Sequence, residues 1–132
     1  MSIIVDASVW CHALGRDNPS NDPQAVKLRN LLDEGQVVAL IGVILQEILQ
    51  GIRNERQFAR TKEHLDNFPL ISLDREDYVA AAELRIQCLA RGVQAGTVDF
   101  QIAAACLRHD CALLTCDADF ARIGSCCALQ LL

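Results

Sequence analysis

Gly96-Thr97-Val98-Asp99-Phe100-Gln101-Ile102-Ala103-Ala104-Ala105 runs on, after a short connection, into Leu113-Leu114-Thr115-Cys116-Asp117-Ala118-Asp119-Phe120. The first segment predicts a helix over Val98–Arg108, with Thr97 as its cap and Asp99 in its first turn. The second follows a buried strand, Cys111–Thr115, and places Asp117 within two residues of that strand's end. A helix that feeds a short apolar strand ending in carboxylates is one half-turn of an α/β protein.

Working outward, the same alternation recurs. Asp74–Ala90 reads as a helix in which Val79, Ala82, Ile86 and Leu89 form an apolar face, and Gly92 stops it. Strands are expected at Ile3–Asp6, Val37–Ile41, Leu70–Leu73 and Cys127–Leu131. Further helices are expected from a Ser8 cap to Leu14 with Gly15 as the stop, from Asp22-Pro23 to Gly35, over Val43–Ile52, and over Glu55–Asn67. The strands are apolar without strict alternation and mostly separated by helices. That pattern predicts an α/β domain spanning residues 1–132, with a central parallel sheet of four to five strands covered on both faces.

Ligands of open parallel sheets bind beyond the carboxyl ends of the strands. Asp6 ends the first strand and Asp117 follows the fourth, so a parallel sheet puts both on one edge. Glu47 and Asp99 reach the same edge if their helices pack there. Each has a plainer reading: Asp99 as a helix N-terminal charge, Asp117 as a turn or cap residue, and Glu47 as a solvated position beside the buried face of Ile44, Leu45, Ile48, Leu49 and Ile52. Gathered together, such carboxylates repel one another unless a hard cation binds them through oxygen. Magnesium or manganese suits that chemistry, and a phosphodiester suits the metal.

Composition narrows the field. The 132 residues include 12 basic and 17 acidic ones, a net charge of -5, with 52% hydrophobic residues. The chain is too apolar for disorder, and its acidity argues against coating nucleic acid by charge alone. Setting aside Asp6, Glu47, Asp99 and Asp117 leaves 13 acidic residues against 12 basic, or -1, so the excess acid is mostly assignable to one pocket. Val37–Leu45 is about half the length of a membrane span. The opening Met-Ser-Ile-Ile-Val-Asp lacks a signal-peptide pattern. The seven cysteines are odd in number and contain no Cys-x-x-Cys, and His12, His64 and His109 stand outside zinc-ligand spacing. Free thiols in a reducing cytoplasm are the expectation, with a redox or metal role as the alternative.

Taken together, these segments resemble a PIN-domain nuclease, and more closely the VapC-type toxins of bacterial toxin–antitoxin pairs. The resemblance rests on Ile4-Val5-Asp6-Ala7-Ser8, on Gln46-Glu47-Ile48-Leu49-Gln50-Gly51, and on the two stretches quoted at the outset, in that order and spacing. Ala7 departs little from the usual pattern. The resemblance implies a three-layer α/β/α fold and an endoribonuclease that uses Mg²⁺ or Mn²⁺ and leaves a 5′-phosphate. It implies Asp6 and Asp99 as principal metal ligands, Glu47 and Asp117 completing the pocket, Ser8 and Thr115 orienting carboxylates, and Asp119 as a less certain fifth carboxylate. It also implies a homodimer, a cognate antitoxin whose C-terminal segment lies across the site, and operator DNA bound only through that antitoxin.

RNA binding needs local positive charge. Arg53, Arg56 and Arg60 would share a face if one helix spanned them; the alternative is a solvated face mixed with Glu55 and Glu63. Two other functions compete. A phosphoacceptor receiver domain also gathers aspartates, but needs a lysine near the last strand, and the only lysines are Lys27 and Lys62. A catalytically silent PIN module acting in repression with its antitoxin is opposed by the intact carboxylates. A dinucleotide-binding role lacks a glycine-rich loop after the first strand, where Ala7-Ser8-Val9 stands.

Overall fold

Strands β1 (Ser2–Val5), β2 (Val38–Ile41), β3 (Leu70–Ile71) and β4 (Cys111–Leu114) lie side by side in the order β3-β2-β1-β4, every pairing parallel. The structure is a computed structural model and describes residues 1–14 and 21–132. Ile4 pairs with Ala39 on one side and Leu113 on the other, so β1 is central. Ile3, Ile4 and Val5 and the whole of β2 and β4 are buried. Helices cover both faces of such a sheet, which is why its strands are continuous apolar runs.

The helices are α1 (Ala7–Leu14), α2 (Pro23–Asp33), α3 (Gly42–Gln50), α4 (Glu55–Leu65), α5 (Arg75–Ala90), α6 (Thr97–Arg108) and α7 (Asp119–Gly124). Their ends follow local chemistry. Asp22 Oδ1 accepts from the Gln24 and Ala25 N–H groups at 3.0 and 3.2 Å, with Pro23 at the first position of α2. Asp74 and Asp77 close a reciprocal capping box at α5. Gly92, at φ +77°, lets the Val93 N–H turn back to the Cys88 carbonyl at 2.8 Å and ends α5. Trp10, Phe100 and Phe120 are the largest fully buried side chains, and Trp10 meets Phe68 edge-on at 5.1 Å.

Several expectations are corrected. Cys127–Leu131 is not a fifth strand: the tail makes a single parallel bridge, Leu131 to Leu113, with the Leu113 N–H donating to the Gln130 carbonyl. β3 is two residues long rather than four. Gly96, not Thr97, is the N-cap of α6. Ser8 lies inside α1 and bonds Asp6 instead of capping a helix. The Gly15 stop falls outside the described residues.

The expected buried face of α5 is its outer face: Val79, Ala82, Ile86 and Leu89 are exposed, and Ala81, Leu84, Cys88 and Asp77 are buried. This helix is apolar on two sides, and spacing alone does not say which one packs. The cysteines divide. Cys88, Cys106 and Cys111 are buried, Cys11 and Cys116 exposed, Cys126 and Cys127 half-buried, and all are free thiols. Burial raises the Cys88 thiol to about 11 and the Cys106 thiol to about 12. Among the described residues no helix is long and apolar enough to cross a membrane.

Candidate metal centre

β1 delivers Asp6 to the carboxyl edge of the sheet beside the end of β4, where the Asp6 N–H donates to the Leu114 carbonyl at 2.9 Å. Its carboxylate is buried and held on both oxygens. Oδ1 accepts from the Ala7 N–H at 2.9 Å; Oδ2 accepts from the Ser8 and Thr115 hydroxyls at 3.1 and 2.9 Å. Each hydroxyl also accepts from the turn after β4: Ser8 Oγ from the Cys116 N–H at 3.2 Å and Thr115 Oγ1 from the Asp117 N–H at 3.0 Å. The Gln24 side-chain amide adds a bond to the Thr115 carbonyl at 2.9 Å. The Asp-x-Ser turn and the Thr-x-Asp turn are therefore one hydrogen-bonded unit.

Asp99 approaches from α6. Its Oδ2 accepts from the Gly96 N–H at 3.2 Å, so the same side chain closes the helix N-terminus and faces Asp117 and Asp119. Carboxylate oxygens of Asp99, Asp117 and Asp119 lie within 4.8 Å of one another. Burial raises the Asp99 carboxyl above its ordinary range; the Gly96 bond opposes this, and the charges of Asp117, Asp119 and Asp6 add to it. Burial likewise raises Glu47, on α3, with Asp6 and Asp99 contributing. Glu47 is half-buried, and it belongs to the same electrostatic neighbourhood rather than to a solvated surface.

Asp6, Glu47, Asp99, Asp117 and Asp119 are thus brought together from β1, α3, α6 and the β4–α7 segment. Asp117 and Asp119 both face Asp99, but differently. Asp117 Oδ1 accepts the Asp119 N–H at 2.9 Å, whereas Asp119 Oδ1 is paired with Arg122 at 2.6 Å. Arg122 also donates to the Gln94 carbonyl at 2.9 Å, clamping the start of α7 to the loop before α6. Sequence reasoning missed this arginine; the i,i+3 spacing from Asp119 was its only signal.

The arginine trio is not brought onto one helix. The chain leaves α3 at Gly51 and re-enters helix after the Asn54 cap, so Arg53 lies in the connection while Arg56 and Arg60 share α4. All three are exposed. Arg53 lines a cleft of about 450 Å³ together with Trp10, Cys11, Ile48, Ile52 and Thr61. Burial first, then the charges of Asp6 and Glu47, raise the Cys11 thiol, which ties this cleft to the acidic group.

The donors are all oxygen and the charge is all negative apart from the Arg122 pair. Such a set fits a hard divalent cation such as Mg²⁺ or Mn²⁺, and does not suit a thiophilic one. Burial first, and neighbouring acids after it, raise the Glu47 and Asp99 carboxyls, and a bound cation would offset the repulsion among them.

Acids from a strand end, helices and the turn after β4 thus converge on one edge of a parallel α/β sheet. The family model of the PIN domain matches residues 3–125, and the chain belongs to that family. No curated protein matched in sequence. Among solved structures, the chain is similar to the DNA-bound VapBC complex of Salmonella typhimurium, with 16% identity and a TM-score of 0.79 over 100% of this chain and 97% of the other. VapBC2 of Rickettsia felis, bound to a promoter DNA fragment, gives 19% identity and 0.80 over 100% and 98%. VapC20 of Mycobacterium tuberculosis, described as a toxin that cleaves the sarcin–ricin loop, gives 18% and 0.69 over 93% and 95%. At these identities the likeness is one of fold.

Proposed function

We propose that this chain is a divalent-cation-dependent endoribonuclease and the toxin of a toxin–antitoxin pair. The observation that carries the reading is the convergence of Asp6, Glu47, Asp99 and Asp117 at one sheet edge within a PIN fold. Asp6 and Asp99 would be the principal ligands of Mg²⁺ or Mn²⁺, with Glu47 and Asp117 holding the ion or its waters and Asp119 beside them. The chemistry such an ion supplies is polarisation of a phosphoryl oxygen and activation of water for in-line attack. The protein's own part is preorganisation. Ser8 and Thr115 fix one oxygen of Asp6, and the same hydroxyls fix the turn carrying Asp117. Arg122 already pairs with one oxygen of Asp119, which favours Asp117 as the fourth pocket carboxylate.

Arg53, which lines the cleft, and the Arg56–Arg60 pair on α4 would take RNA phosphates. The cleft itself, apolar and adjoining the carboxylates through Cys11, suits a segment of the antitoxin; several structural relatives are toxin–antitoxin complexes bound to DNA, and operator DNA would be reached through that partner. The exposed stripe of Val79, Ala82, Ile86 and Leu89 supports a homodimer, since apolar positions alternating three and four apart make a helix–helix seam. A reducing cytoplasm agrees with seven free cysteines.

The test is cleavage of RNA by the purified chain with Mg²⁺ or Mn²⁺, beside Asp6→Asn and Asp99→Asn. Each variant should lose about 100-fold or more in rate with its circular dichroism unchanged. Full activity in Asp99→Asn removes the assignment.

A further inference from the structure

A second group of metal-ligating side chains lies outside the acidic site. His12, Asp22 and Cys116 each offer a donor atom, and these atoms all lie within 4.8 Å of one another; Cys116 Sγ is 3.9 Å from Asp22 Oδ1. The three come from different parts of the fold: the last turn of α1, the N-cap of α2 and the turn after β4. They are not accidental neighbours of mobile surface. Ser8 Oγ accepts the Cys116 N–H at 3.2 Å and ties the turn to α1; Gln24 Nε2 donates to the Thr115 carbonyl at 2.9 Å and ties it to α2.

The donor set differs in kind from the acidic pocket. An imidazole, a carboxylate and a thiolate are the mixture that Zn²⁺ takes, with bonds of about 2.0–2.3 Å in a tetrahedron whose fourth corner is left to water. Tetrahedral donors on such bonds stand roughly 3.5 Å apart, so the group needs to close by about 1 Å. The exposed Cys116 side chain has the room to do so. The C-terminal end of α1 adds a favourable dipole for a cation at His12.

We propose that His12, Asp22 and Cys116 form a site for Zn²⁺ or a similar thiophilic divalent ion, separate from the oxygen-only pocket. On binding, the Cys116 thiol gives its proton to solvent as the sulfur–metal bond forms. The ion then ties the ends of α1, α2 and β4 together one residue away from both Thr115 and Asp117. This site does not depend on the chain being a nuclease.

The test is titration of the reduced full chain with Co²⁺, read by thiolate-to-metal charge transfer and tetrahedral d–d absorption, followed by displacement with Zn²⁺. The expected result is one equivalent with a single-thiolate band. Cys116→Ser should abolish the band, His12→Gln and Asp22→Asn should each weaken binding roughly tenfold or more, and Asp99→Asn should leave it unchanged. Asp22→Asn keeps a capping residue at α2, and circular dichroism checks the fold of each variant. Absence of the band in the wild type overturns the proposal. So does its survival in Cys116→Ser, undiminished binding in His12→Gln or Asp22→Asn, or its loss in Asp99→Asn.

Discussion

Asp99 and Glu47 have carboxyl groups that the folded protein holds above their ordinary values of 3.8 and 4.5, chiefly by burial and then by neighbouring acids. Folding without a cation therefore takes up protons at these positions. Their contribution to stability is full below the ordinary values and is lost as pH rises through the raised ones. In the presence of a chelator, the wild type should lose stability relative to Asp99→Asn as pH rises above the ordinary carboxyl value and through the raised one, a difference that urea unfolding at several pH values measures directly. Mg²⁺ at neutral pH should restore the wild type and leave Asp99→Asn nearly unmoved. Equal pH profiles for the two proteins would show that Asp99 carries no such strain. The position of Asp6 was legible from sequence because a strand end in a parallel sheet faces the crevice. Glu47 was legible only through the resemblance of Gln46–Gly51, since its place on the helical wheel suggested solvent, whereas it is half-buried with Asp6 and Asp99 acting on it.

At the scale of elements, α5 is joined to α6 by a buried carboxylate. Burial alone would raise Asp77, but the Asp74 N–H and then Arg108 and His109, whose nitrogens lie 2.9 and 3.0 Å from Oδ1, outweigh it and hold the group below its ordinary 3.8. Here the sign is opposite to Asp99: the stabilisation is present above the ordinary value and lost as pH falls through the lowered one. Asp77→Ala removes both the capping box and the link to α6. It should destabilise the fold by about 2 kcal/mol at neutral pH, measured by urea unfolding with an unchanged slope. A change under about 0.5 kcal/mol would mean that the exposed Arg108 pair and the cap contribute little. The sequence pattern found α5 but turned it the wrong way. Both of its stripes are apolar, and the small side chains of Ala81 and Cys88, which pack, carry less hydrophobic weight than Ile86 and Leu89, which do not.

For the whole molecule, the order of strands and helices and the parallel sheet followed from apolar runs separated by helices. The final tail did not, because Cys127–Leu131 has the composition of a strand while only Leu131 makes a bridge. In the proposed homodimer, the outward stripe of α5 would form the seam. Ile86→Glu should convert a dimer to a monomer at micromolar concentration in sedimentation, with thermal stability of the monomer little changed, since Ile86 is 66% exposed. A variant of unaltered mass would move the dimer interface elsewhere. The proposed RNA substrate also bears on charge at this scale. With the four pocket carboxylates set aside the chain's balance is -1, and Arg53, which lines the cleft, and Arg56 and Arg60 on α4 are exposed.

In the proposed function, carboxylates from four separate segments act as one cation-dependent site on RNA. The most direct measurement is end-mapping of cellular RNA after brief induction of the wild type beside Asp99→Asn, repeated with the purified proteins with Mg²⁺ or Mn²⁺ and with chelator. Discrete new 5′-phosphate ends should arise with the wild type and a divalent ion, and be absent with Asp99→Asn or chelator. The same ends at the same rate in Asp99→Asn, or undiminished cleavage in chelator, would contradict it.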